Sequence, residues 1–337
     1  MWEMAREKPG LNSRARRLAL QTLKAVLSLS LLGYVLYLVP LSELGPMARD
    51  IVWSYVAAGL GVSLMTTYLN SIQMSQLTRH HGIALRSAEI FRINLITSFY
   101  NLAAPGSLAG GVLRWYYFSK PDGKRAEAAA AIVFNRLIET AMLVCLGLVF
   151  WLQEQGQSSA NSTTLTIILI CGLSLGAYVL AMNPSVHRGL RRALQWIKFS
   201  AWLSSKIVKV NNALESYSRR TIGFHLKVML IAIVRHLLSL AALFLLAMAV
   251  NIDVAFSTIG WIRSVLAIAL MLPISIGGFG VREATLVKLL GAYGVAAGAA
   301  LTLSLLVLCK SLFMAAIGGV LAAHESMVGA RTARKQK

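Results

Sequence analysis

The stretch LPISIGGFGVREATLVKLLGAY, residues 272–293, breaks an otherwise apolar part of the chain. An apolar run ends at Pro273. Gly277, Gly278 and Gly280 follow, and Arg282 and Glu283 open a second apolar, helix-compatible run. Proline removes a backbone donor and glycine loosens the chain, so a helix is expected to stop here and restart. Inside lipid such a break is tolerated only where it is buried in protein or lines a wet cavity. A charge pair beside broken backbone in a membrane is a functional-site hypothesis by default.

A second copy of the pattern lies upstream, in APGSLAGGVLR at residues 104–114. Pro105, Ser107, Gly110 and Arg114 match Pro273, Ser275, Gly278 and Arg282 at a constant offset of 168 residues, about half of the 337-residue chain. Duplication, with half-repeats 1–182 and 183–337, is the reading set against coincidence. Paired Gly/Pro-interrupted apolar segments in corresponding halves are the sequence pointer to a transporter's binding site.

Composition sets the class. The chain is 57% hydrophobic and only 14% charged, against about a quarter charged in a soluble domain. Several apolar runs of membrane-spanning length predict an all-α polytopic integral membrane protein. The net charge of +20 is read as topology rather than nucleic-acid binding. Cys145, Cys171 and Cys309 all sit in apolar runs, as small buried hydrophobes rather than a disulfide framework or metal site.

Taken in order, full spans are expected at 18–39, 51–77, 126–152, 164–182, 227–250 and 295–322. Between them, 91–105 with 107–118, and 255–273 with 280–290, form two arms each around the broken motifs. The first pair is too short for either arm to cross a hydrocarbon core of about 30 Å. Both pairs are read as re-entrant helical hairpins. With the N-terminus in the cytoplasm, the basic segments fall on one side and the base-poor loops 40–50, 153–163 and 250–254 on the other, with Arg49 the exception. The two hairpins then enter from opposite sides, as an inverted repeat requires, and both termini are cytoplasmic. Residues 185–222 carry Leu190, Leu194, Ile197 and Ala201 at helical spacing, which suggests a helix on the cytoplasmic membrane surface.

Two broken hairpins would bring two helix N-termini, with their free N–H groups, near mid-membrane, where they suit an anion. Arg114 and Arg282 stand just beyond the breaks, and arginine presents a fork that fits phosphate oxygens. The alternative is that each only locks its hairpin. Arg136 and Glu139 are three apart and can pair on one helix face. Glu283 is expected to point elsewhere on its helix than Arg282. Glu139 and Glu283 would relay protons or balance arginines, a structural ion-pair network being the alternative. Bases within or near spans (Arg92, Arg136, Arg235, Arg263, Arg282, Lys288, Lys310) outnumber the acids, which implies a wet positive cavity or lipid phosphates as counter-ions. The candidate substrate-binding set is therefore Arg114, Arg282, Glu283, Arg136, Glu139, Ser107, Ser275, Gly277, Gly278 and Gly280. His80 and His81 lack nearby acids or cysteines and read as an interfacial loop. No nucleotide loop, metalloprotease helix or nucleophile elbow occurs, so no catalytic residue, metal or cofactor is assigned.

The segment GGFGVREATLVKLL (277–290) after LPIS, the P-x-S-x-x-G-x-x-x-R segment at 105–114 and the Asn-Arg-Leu-Ile-Glu run at 135–139 resemble the flippase-like membrane domain family. That family includes the transmembrane region of lysylphosphatidylglycerol synthases. The resemblance implies a multi-pass lipid translocase or lipid-handling module in the inner (cytoplasmic) cell membrane. In the synthases a separate soluble domain performs aminoacyl transfer, and the short tail here gives no expectation of one. The leading function is a flippase or transporter for an anionic lipid, a phospholipid or a polyprenyl-phosphate species. The rivals are a membrane-embedded enzyme or accessory subunit acting on such a lipid beside a lipid-modifying partner, and a lipid-binding scaffold.

Overall fold

The structure is a computed structural model that describes residues 50–103, 108–155, 162–196, 201–271 and 278–335. Its regular structure, among the described residues, is entirely helical. The helices are α1 (Trp53–His80), α2 (Ser87–Ala103), α3 (Leu108–Ser119), α4 (Arg125–Gln155), α5 (Ser162–Ala181), α6 (Pro184–Trp196), α7 (Ala201–Ser218), α8 (Ile222–Ala249), α9 (Phe256–Met271), α10 (Val281–Gly291) and α11 (Ala297–Lys335).

Three of these, α4, α8 and α11, contain a stretch long and apolar enough to cross a membrane. α5 qualifies only together with α6, which leaves it at 80°. α1 has the length, 28 residues or about 42 Å, but it carries Ser63, Ser71, Gln73, Ser75 and Thr78 on its buried surface. The expected span at 18–39 lies outside the described residues.

Helices meet where a side chain is missing, as membrane helices do in the absence of a strong hydrophobic drive between them. α1 lies along α8, with Gly59 facing Ala242 O and Leu246. α2 lies along α11, with Gly318 directly against the backbone of Leu95. α4 lies along α9, with Gly147 against Ser264 and Gly260 against Phe150.

Partners in the two halves of the chain correspond. α1 and α8 are each 28 residues long, and α2 and α9 are 17 and 16. α1 packs on α2 and α4, α8 on α9 and α11; α3 sits between α2 and α4, α10 between α9 and α11. α2 crosses to α11 of the other half, and α9 crosses to α4.

Two apolar cores occupy the two ends of the helix assembly. One gathers Leu246, Ile259, Leu286 and Ala300 around Trp151 and Trp261. The other gathers Leu77, Ile90, Phe118, Phe134 and Tyr217. In this second core Tyr217 of α7 stacks on Phe134 of α4 at 4.2 Å and donates its hydroxyl to Leu77 O at 3.0 Å. α6 is tied to α7 by Arg191–Glu215 and by the His187–Asn211 hydrogen bond. Between the cores runs a polar waist. α1 contributes Ser63, Thr66 and Thr67, α8 contributes Arg235, His236 and Ser239, and α11 contributes Lys310 and Ser311.

A charged waist and two broken segments

The second broken segment ends in a tight turn. Gly278 and Gly280 have φ of +81° and +79°, in the left-handed region that favours glycine. α10 then begins at Val281, with Gly280 as its N-cap. Glu283 is the third residue of the helix, and its carboxylate folds back to accept the Gly280 N–H at 2.6 Å. That places its other oxygen where Arg282 Nη2 donates at 2.5 Å and Arg282 Nε at 3.1 Å. Ser304 of α11 closes the set: it accepts from Arg282 Nε and donates to Glu283, both at 2.9 Å. Arg282 and Glu283 are 4% and 2% exposed, so this is a buried ion pair with most of its valences met. The expectation that Glu283 points away from Arg282 is thus wrong. It treated the two as neighbours on a regular helix, whereas a third-position acid turns toward the helix N-terminus.

The first broken segment is built differently. α2 and α3 pack on each other, and Gly110 donates its N–H to Asn101 Oδ1 at 2.8 Å. A side chain at Gly110 would collide with the Asn101 amide. Arg114 follows in α3, half-buried, with its Nε shut away from solvent and without a hydrogen-bond partner among the described residues. At the 168-residue offset, Trp115 stands where the other segment has Glu283, and Arg136 stands where it has Ser304. The acid and the hydroxyl that hold Arg282 are here replaced by an aromatic ring and a second cation. Arg136 lies within coulombic reach of Arg114, is exposed, and has no ion-pair partner among the described residues.

Glu139 does not pair with Arg136. It is held across the helix interface by Arg235 of α8, whose Nε donates to Oε1 at 3.0 Å, with His236 beside it. An acid three residues away on the same helix is in reach, but the buried side of α4 presents Glu139 to α8 while Arg136 faces outward. Arg235 in turn lies within the field of Arg263, Arg136 and Arg114, and Lys310 within that of Arg263 and Arg282. Arg263 donates to Ser239 Oγ at 3.2 Å. Arg92 is not part of this cluster, since it pairs with Glu325 at 2.8 Å. Lys288 is exposed on α10. Gly278 and Gly280 form the turn, while Ser107, Ser275 and Gly277, like Pro105 and Pro273, lie outside the described residues.

Beside the cluster is a cavity of about 330 Å³ lined by Ser63, Thr66, Thr67, Ser98, Asn101, Ser239, Lys310, Ser311 and Met314. The sequence reading passed over its hydroxyls. Ser63, Thr66, Thr67, Asn70 and Ser71 recur at helical spacing through an apolar stretch, and that is the signal that could have found them.

Groups outside the spans are also perturbed. His81 caps α1, and burial, then its neighbour His80, pull its pKa down to about 4. Burial would raise Glu215, but the hydrogen bond and charge of Arg191, with Arg219, outweigh it and hold the carboxyl below its usual range. No cluster of His, Cys, Asp or Glu among the described residues has metal-binding geometry.

Comparison with known families gives one match, to the lysylphosphatidylglycerol synthase TM region, over residues 21–319. No curated protein and no solved structure matches the chain. With helices long enough to span a bilayer and a match over most of its length, this membrane protein belongs to the lysylphosphatidylglycerol synthase transmembrane-region family, which links it to lipid metabolism.

Proposed function

We propose that the protein is a flippase-like transporter that takes the phosphate of an anionic lipid headgroup, from a phospholipid or a polyprenyl-phosphate species, at Arg114 and Arg136. The observation that carries this reading is the contrast between Arg282, neutralised by Glu283 and hydrogen-bonded to Ser304, and the Arg114–Arg136 pair, which has no acid partner among the described residues. Two neighbouring guanidinium groups near apolar surroundings need a counter-ion, and a lipid phosphate is the anion at hand. Arg235 and Glu139 serve as a structural pair that sets the rear wall of the site.

The corresponding packing partners of the two halves favour an inverted repeat, with 1–182 and 183–337 as the units and α2–α3 and α9–α10 as oppositely entering re-entrant hairpins. α6, turned 80° from α5, and α7 packed on it are rich in bases and suit the cytoplasmic surface of the cell membrane, with both chain termini on that side. A soluble or membrane enzyme that makes or modifies the lipid is the partner this reading calls for. No residue is assigned a catalytic role.

A vesicle assay tests the function. Purified protein is reconstituted with a fluorescent phosphate-bearing lipid, and its passage between leaflets is followed by quenching from outside. The wild type is expected to equilibrate the leaflets, and the Arg114→Ala/Arg136→Ala variant to slow this at least tenfold. Equal rates would remove the basis of the proposal.

A further inference from the structure

A second cavity, of about 960 Å³, lies at the basic end of the helices, where the start of α4, the turn before it and α7 face one another. Its lining carries four cations, Lys124, Arg125, Lys206 and Lys209, against one acid, Glu127. Lys206 and Lys209 share one face of α7 with Val210 and Ala213, by their spacing. The preference for bases on one side of a membrane protein accounts for their being at this end. It does not account for their convergence on a hollow. Charges of one sign around a cleft focus its field and gather counter-ions there.

The hydrogen bonds point the same way. Lys124 spends two N–H groups on His81 O and Gly82 O, at 3.0 and 3.1 Å, and keeps a third. Asn212 accepts from Arg191 through Oδ1 at 2.8 Å, which leaves its NH₂ to donate. His81 also lines the cavity, and its Nε2 is buried with no hydrogen-bond partner among the described residues. The lining is thus rich in donors and poor in carboxylates, as a ligand with many acceptor oxygens requires.

Size and apolar surface narrow the class. Pockets that enclose small organic ligands run from about 300 to 1,000 Å³, so this one is far too roomy for a lone phosphate ion. Trp115 and Val210 supply apolar wall, and the Trp115 ring is fixed by its Nε1–H, which donates to Arg125 O at 2.8 Å. Arg125, Lys206 and Lys209 are exposed, so the cationic side of the cavity faces water. We propose that this cavity binds a water-soluble organic polyphosphate of nucleotide size, its phosphates toward Arg125, Lys206 and Lys209 and its base against Trp115 and Val210. The site shares no residue with the Arg114–Arg136 reading and stands or falls apart from it.

Equilibrium binding of radiolabelled ATP to the whole protein in phosphatidylcholine nanodiscs, at 0.15 M salt to screen loose surface attraction, tests the site. Saturable binding is expected, displaced at least tenfold more weakly by inorganic triphosphate, which lacks the base. Lys206→Gln/Lys209→Gln should weaken binding at least tenfold. Arg188→Gln/Arg192→Gln, which removes two bases of α6 outside the cavity, should leave it unchanged. Val210→Trp fills the apolar side without altering charge and should also weaken binding at least tenfold. Thermal unfolding of each variant confirms that it is folded. Absence of saturable binding, equal loss in the two double variants, or full binding in Val210→Trp would overturn the site. Displacement by triphosphate as strong as by ATP would overturn the nucleotide-sized class. Abolition of binding by phosphatidylglycerol in the nanodisc would also overturn the proposal, by assigning the cavity to the membrane surface.

Discussion

The two broken segments share Pro, Ser, Gly and Arg at matched positions but handle the arginine in opposite ways. Around Arg282 the chain supplies an acid, a hydroxyl and a helix N-terminus, and the charge is used up inside the protein. Around Arg114 it supplies Trp115 and Arg136 at the corresponding places, and the charge has no acid partner among the described residues. One segment neutralises its arginine inside the protein, and the other leaves its arginine without an acid among the described residues. A shared motif therefore does not assign a shared role, because the role is set by what stands at the next position and on the neighbouring helix.

The sharpest way to break this comparison is to exchange the two environments. Glu283→Gln leaves Arg282 buried without its counter-charge, which typically costs about 3–5 kcal/mol. A large drop in thermal stability or yield is expected, larger than for Trp115→Gln measured in parallel, which loses a hydrogen bond to Arg125 O and contact at the rim of the second core but leaves no buried charge uncompensated. The reciprocal change, Trp115→Glu, gives Arg114 the acid its counterpart has. Lipid-phosphate binding should then fall at least tenfold while the protein stays folded, and unchanged binding would show that the difference between the segments is not about charge.

Helix contacts give a second, smaller comparison. Gly318 of α11 meets the Leu95 backbone, and Gly147 of α4 meets the Ser264 side chain, in packings that occupy equivalent places in the two halves. Overpacking typically costs about 1–3 kcal/mol. Gly318→Ala should fall at the upper end because it runs into a peptide carbonyl of α2, and Gly147→Ala at the lower end because it meets only the small side chain of Ser264. Thermal unfolding of the two variants in the same detergent measures this; a reversed order would contradict the paired geometry.

The smallest expected effect lies at the basic end of the helices. His81 has a pKa of about 4 in the fold, while an unfolded histidine binds its proton near pH 6.5. The unfolded state therefore holds more protons between those values, and stability falls as pH drops from about 6.5 to 4. His81→Asn should flatten that part of the thermal stability profile. Glu215, held below its usual range, adds stability that is present at neutral pH and lost only at more acid pH, and Glu215→Gln should remove that lower limb.

Much of the architecture was legible in the residues. The glycines at 278 and 280 announced the turn because their backbone needs positive φ, and the apolar runs announced α4, α8 and α11. What the chain does with its charges was less legible. Helical spacing suggested Arg136–Glu139, but buried acids choose partners across helix interfaces, and Arg235 sits 96 residues away in sequence. Adjacency argued against Arg282–Glu283, but the N-terminal turn of a helix bends an acid back on its own backbone. The hydroxyl stripe on α1 was visible as spacing, yet its meaning depends on Asn101, Ser239 and Lys310, which only the fold brings to the same cavity.

The most direct measurement of the central claim is solid-state NMR dipolar transfer between ³¹P of bound lipid and ¹⁵N of arginine guanidinium groups in reconstituted protein. A phosphorus–guanidinium contact is predicted in the wild type and in Arg282→Lys, and its loss in Arg114→Ala/Arg136→Ala. A contact that survives the double substitution, or none in the wild type, would contradict the account.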